Sequence, residues 1–162
     1  VAATAQCIAR TSVVVVGADL GDSVPFDADE KSVLRIVEAA AQKKSFDGAI
    51  HKYEIDGETF LPVFTDRATA EWFCGAYCSL LGHIHAFRLF RLPGAHIRRL
   101  IADQDIIVID PQSNNEVEVD RSKSQAIRGR LPETDNFDDA QFVSLVLPMA
   151  GISRPMEFRP ET

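Results

Sequence analysis

The stretch His51-Lys52-Tyr53-Glu54-Ile55-Asp56-Gly57-Glu58-Thr59-Phe60-Leu61-Pro62-Val63-Phe64 decides the fold class. Two strand-forming arms flank Asp56-Gly57, a dipeptide that supplies the positive φ angles of a two-residue type I′ turn. A β-hairpin is therefore expected. Its second arm, Phe60 to Phe64, is apolar on both faces and belongs in a covered sheet. Pro62 has no amide to donate, which implies an edge, a bulge or the strand's end.

Thr65 or Asp66 then caps a helix from about Arg67 to Leu81, stopped by Gly82. Between Ala70 and Leu81 the only charged residue is Glu71 and the only other strongly polar one is Ser79. A surface helix ordinarily keeps a polar face, so this one must be covered on more than one side. Its cover is either its own sheet and tail or a second chain. Trp72, Phe73 and Tyr77, with Phe64 on the preceding strand, are the candidate partner contacts. Core packing is the competing account of all four and the commoner fate of such residues.

Outward from this centre, residues 1–25 read as an irregular leader holding one short strand. The run Val13-Val14-Val15-Val16 cannot alternate, so its strand is buried on both faces or held by a partner. Asp27 and Glu30 stand as a capping box before a helix whose apolar stripe is Val33, Leu34, Val37, Ala40 and Ala41. Downstream, Phe87 and Leu89 alternate with Arg88 and Phe90 as a strand. Pro93-Gly94 opens a short helix over Ala95–Ala102 with Ile97, Leu100 and Ile101 inward. Ile106–Ile109 is a buried strand, Val117 and Val119 mark a half-exposed one, and a brief helix follows from Arg121 to Arg128. Residues 131–162 form a tail punctuated by Pro132, Pro148, Pro155 and Pro160 and locally acidic from Glu133 to Asp139. Within it, Phe142–Leu147 is too short for periodicity to separate strand from helix.

Residues from about Ile50 to Asp120 resemble the SseB-like domain, a bacterial family linked to enhanced serine sensitivity and including proteins associated with type III secretion. The resemblance is carried by Gly57 through Asp66 with the apolar helix after it, by Pro93-Gly94, and by Ile106-Ile107-Val108-Ile109-Asp110-Pro111. In the family this last strand usually runs into Asn-Pro-Gly; here Asp110 and Gln112 stand in place of the Asn and Gly. The resemblance implies a small α+β fold and an interaction role. It transfers no functional residue, because the matching positions are structural.

Composition narrows the classes further. The chain has 162 residues, 46% of them apolar and 25% charged, which suits one folded core and argues against disorder. The formal net charge of -7 disfavours nucleic acid and anionic lipid as partners. Arg88, Arg91, Arg98, Arg99, Arg128 and Arg130 make the middle more basic, and their better reading is as acceptors of the acidic tail. Three cysteines, an odd number, point to a reducing compartment, with the cytoplasm as the default. The valine run is far short of the ~20 apolar residues a membrane span takes.

One constellation could carry chemistry. Cys74 and Cys78 share a helix face, and His83 and His85 follow, four ligands that would suit tetrahedral zinc or a reactive thiol. The competing account, buried cysteine acting as a small hydrophobe, is preferred. Neither a Gly-x-Ser-x-Gly elbow nor a phosphate-binding loop is present.

The expectation is thus a single α+β domain over residues 26–130, with helices packed on a mixed or antiparallel sheet, between the leader and the tail. It needs no cofactor, sits in the cytoplasm, and acts as a noncatalytic interaction or adaptor module toward another protein or a second copy of itself. The alternative is a small metal- or thiol-dependent enzyme built on Cys74, Cys78, His83 and His85.

Overall fold

A computed structural model describes residues 2–17, 29–41, 45–81 and 87–146. Its elements are α1 (Ala2–Arg10), β1 (Ser12–Val16), α2 (Glu30–Ala41), β2 (Tyr53–Ile55), β3 (Glu58–Val63), α3 (Arg67–Leu81), β4 (Phe87–Pro93), β5 (Ile106–Ile109), β6 (Val117–Glu118), α4 (Arg121–Arg130) and β7 (Gln141–Val146). They form an α+β fold with two sheets. One is antiparallel, in the order β1-β4-β7; the other is mixed, in the order β2-β3-β5-β6, with β3 and β5 parallel.

The hairpin turns at Asp56 and Gly57, with φ of 53° and 81° as a type I′ turn requires. Pro62 is tolerated by register. β2 pairs with β3 only as far as Phe60, and Phe64 then exchanges both backbone hydrogen bonds with Val14 of β1, at 2.9 and 2.8 Å. Pro62 lies between these two pairings, on the side of the strand where no donor is called for.

That bridge joins the sheets, and it explains the four valines. Val13 and Val15 enter one core, while Val14 and Val16 enter another. The larger core gathers Val13, Val15, Phe90 and Leu92 from one sheet with Leu61, Val63 and Ile107 from the other. Ile8 of α1, Ile127 of α4 and Ile97, Leu100 and Ile101 complete it. The second core lies where α3 packs on β1, β4 and β7 and includes Phe64, Ala70, Phe73, Cys74, Phe87 and Leu89.

Three local expectations are corrected, and one left open is resolved. The leader is not irregular, since α1 occupies most of it and buries Ala5 and Ile8. The first turn of α2 is capped by Asp29, which accepts from the Ser32 amide at 2.8 Å; Asp27 lies outside the described residues. That hydrogen bond holds the Asp29 carboxyl below its ordinary range. The helix expected over Ala95–Ala102 is two successive 3-10 turns, Gly94–His96 and Arg98–Leu100, bonded from Leu100 to Ile97 and from Ile101 to Arg98. The three-residue period aligns Ile97 with Leu100, which a 3.6-residue helix would not do as closely. The stretch after Ala140 is the strand β7, paired with β4, with one register shift opposite Leu89 and Phe90.

The basic middle does receive the chain after α4. Arg98 donates to the Leu131 carbonyl at 3.0 Å and approaches Glu133 at 3.8 Å. Arg99 donates to the carbonyls of Thr134 and Asp135 and lies over the ring of Phe137. His96 stands 3.2 Å from Asp139. Backbone carbonyls take more of these contacts than carboxylates do.

Candidate functional site

The ends of β3 and β5 lie side by side because the two strands are parallel, with Val63 opposite Ile109. Each chain then turns away from the sheet at the same level, β3 into α3 and β5 into the loop 110–116. Asp110 locks these exits together. Its amide donates to the Val63 carbonyl at 2.8 Å, and its carboxylate accepts from the Thr65 amide at 2.8 Å and the Thr65 hydroxyl at 2.7 Å. Asp66 then caps α3, accepting from the Thr69 amide at 2.7 Å.

The loop itself is held rigidly. The Ser113 hydroxyl donates to the Asp110 carbonyl, the Gln112 amide donates to the Glu116 carboxylate, and the Asn115 amide donates to the Ser113 hydroxyl. Asp110 and Gln112 both adopt left-handed backbone, with φ of 50° and 62°. This accounts for the Asn-Pro-Gly usual in the family, from which Asp110 and Gln112 depart. The two positions that the backbone drives into the left-handed region are those where Asn and Gly would be the easiest residues to place.

Between the loop and the first turns of α3 lies an open groove of about 430 Å³, lined by Ala68, Thr69, Trp72, Gln112, Ser113 and Asn114. Trp72 is 59% exposed, the most exposed of the large apolar side chains among the described residues. A residue of this size ordinarily hides far more of its surface.

The other candidates separate cleanly. Phe64 is fully buried and Phe73 is 3% exposed, so both are core residues and present no surface to a partner, which corrects that expectation. Trp72 and Phe73 adjoin in sequence, but the ~100° step of a helix sends one outward and the other inward. Tyr77 and Cys78 lie in α3 with side chains outside the described set, and His83 and His85 fall outside the described residues. Among the described residues no group of three or more His, Cys, Asp or Glu could hold a metal ion. No helix among them is long and apolar enough to cross a membrane.

Cys74 is buried beside Glu71, and desolvation, reinforced by the Glu71 charge, pushes its thiol well above the ordinary value. Such a thiol holds its proton and is a poor nucleophile. Alkylation of the folded protein at neutral pH, read by peptide mass spectrometry, is expected to label the exposed Cys7 and to leave Cys74 unmodified until denaturant is added. Equal labelling of both would show that Cys74 is accessible. Tyr53 is likewise not set up for acid–base work near neutrality. Its half-burial, with the charges of Glu116 and Glu118 adding, pushes its hydroxyl up to about 12.

Of the residues lining the groove, the sequence singled out Trp72 and not Thr69, Gln112, Ser113 or Asn114. The available signal was the unusual Asp110-Pro111-Gln112 turn, which marks a backbone held in place by its surroundings.

The chain is thus a small α+β domain whose two sheets are bridged through one strand, with a groove lined by uncharged residues at the shared exit of two parallel strands. Comparison with known families gives it a place: the model of the SseB protein N-terminal domain matches residues 2–123, and the chain belongs to that family. The match begins at α1 and so takes in the segment before β1 as well as the core. No curated protein and no solved structure matches the chain.

Proposed function

We propose that this SseB-family domain is a noncatalytic protein-interaction or adaptor module that docks its partner on the groove at Trp72. The reading is supported above all by the exposed indole beside a loop pinned by its own hydrogen bonds. Interfaces draw most of their energy from a few anchors of this kind, and tryptophan is enriched among them. A preformed loop also lowers the ordering cost of association. The partner is another protein or a second copy of the chain, met in the cytoplasm, a location supported by the odd number of cysteines in the sequence. Cys74, buried and with its thiol pushed up, gives the thiol-enzyme alternative no support.

The test is a photoreactive benzophenone side chain in place of Ala68, which lines the groove and leaves Trp72 intact. Irradiation in cells is expected to give one discrete adduct, and adding Trp72→Ala should reduce it about tenfold or more. The same substitution should leave thermal stability nearly unchanged, since exposed substitutions stay within about 0.5 kcal/mol. An adduct of twice the chain mass identifies self-association. A pattern indistinguishable from that of a probe at the exposed Asp103 would refute the proposal.

A further inference from the structure

We infer that the groove takes an extended, basic peptide segment, with Gln112 as the residue that reads its backbone beside Trp72. This rests on the docking role proposed above and names the chemistry of the partner.

The groove lining carries no charge, yet two carboxylates are bonded to it from outside. Asp66 accepts from the amide of Thr69, and Glu116 accepts from the amide of Gln112. Both side chains are exposed, so the rim is acidic around an uncharged floor. Phosphate-bearing ligands are repelled by that rim, and a neutral saccharide gains nothing from it. A lysine- or arginine-bearing chain is attracted. On the floor, Gln112 and Asn114 each offer an amide carrying both donor and acceptor, the functionality that matches a peptide group. The indole of Trp72 supplies a flat surface on which a proline or aliphatic side chain can lie.

Gln112 adds an independent observation. At φ of 62° a side-chain-bearing residue costs about 1–2 kcal/mol relative to ordinary backbone, a cost that glycine escapes. The amide of Gln112 secures the loop to Glu116, a bond that glycine would make equally well. The side chain therefore stands on strained backbone with no structural bond requiring it, and it lines the groove. Gln104 carries similar strain at φ of 72° outside the groove lining, so what distinguishes Gln112 is its place in that lining.

The experiment uses Trp72 itself, the single tryptophan of the chain, as the reporter. A synthetic lysine–proline peptide is titrated into the whole protein while indole emission is followed, beside the same peptide with glutamate for lysine and a neutral chitin oligosaccharide. A saturable blue shift is expected with the lysine peptide, at least about tenfold weaker with the glutamate peptide, and declining as salt is raised. In Gln112→Gly the lysine peptide should bind about tenfold more weakly. The melting temperature of that variant should hold or rise by up to about 4 °C, as relief of strain offsets the added freedom of the unfolded chain.

Unchanged binding in Gln112→Gly overturns the role of Gln112, and so does a lowered melting temperature, which would mark the side chain as structural. A response to the oligosaccharide without one to the lysine peptide overturns the peptide assignment. Silence toward every probe does the same. If the Ala68 probe still captures a partner in that case, the docking role survives and only the peptide chemistry fails.

Discussion

Gly94→Ala is expected to destabilise the domain by about 4 kcal/mol or more and to release α1 from the rest of the fold. A Cβ at this position would meet the Ile8 carbonyl oxygen at 1.8 Å, the Ile8 carbonyl carbon at 2.8 Å and the Thr11 carbonyl oxygen at 3.0 Å. All three are backbone atoms at the end of α1, so no rotamer change can relieve the clash. The close approach is also bonded, because the Gly94 amide donates to the Thr11 carbonyl at 2.7 Å. Thr11 in turn closes α1, its hydroxyl donating to the carbonyls of Cys7 and Ile8. Moving the helix outward would uncover Ala5 and Ile8, and the core contributions of Ile97 and Leu100 would lose their cover. For a chain of this size such a loss lowers the melting temperature by roughly 10 °C, and it consumes a large part of a typical folding free energy. Thermal unfolding by circular dichroism gives the magnitude, and limited trypsin digestion at Arg10 reports detachment of α1. A variant as stable and as protease-resistant as the parent would mean that α1 does not pack against Gly94.

The same helix shows where the sequence was opaque. Ala2–Arg10 has only a narrow apolar stripe, and a helix of nine residues has little stability of its own. It forms because Ile8 finds Gly94 more than eighty residues away, a pairing that no local pattern announces. The hairpin was legible for the opposite reason: Asp56-Gly57 carries its turn geometry in two adjacent residues. The valines of β1 were legible as covered on both faces or held by a partner, and not as the link between two sheets. β7 could not be told from a helix because six apolar-rich residues satisfy either period.

The groove divides in the same way. Trp72 stood out because α3 lacks a polar face, but Phe64 and Phe73 carried the same signal and turned inward. Composition marks an aromatic helix without saying which aromatic faces water. The loop that completes the groove lies about forty residues downstream of Trp72 and meets α3 through the parallel pairing of β3 with β5 and the bonds of Asp110 to Thr65. Its one local trace was a pair of residues, Asp110 and Gln112, ill suited to the backbone they occupy.

Asp110 carries the second large effect. Asp110→Ala is expected to cost about 3 kcal/mol, and Asp110→Asn about 1 kcal/mol. The carboxylate is buried, and it holds the amide and the hydroxyl of Thr65 together. Hydrogen bonds to a charged group contribute about 1.5–3 kcal/mol each, discounted here because Thr65 is solvent-exposed. Alanine removes both acceptors and must also adopt φ of 50°, which asparagine tolerates far better. Asparagine keeps one carbonyl for the Thr65 amide, while its NH2 can donate to the Thr65 hydroxyl. The difference between the two variants therefore separates the clamp and its backbone conformation from the charge. Urea unfolding measures it, with the midpoint of Asp110→Ala well below that of Asp110→Asn. Because the clamp joins the loop to α3, Asp110→Ala should also part the walls of the groove and weaken partner capture at Ala68, even at temperatures where the variant stays folded. Equal midpoints for alanine and asparagine would show that Thr65 is not held by this carboxylate, and the groove would then lack the rigidity on which its docking role depends.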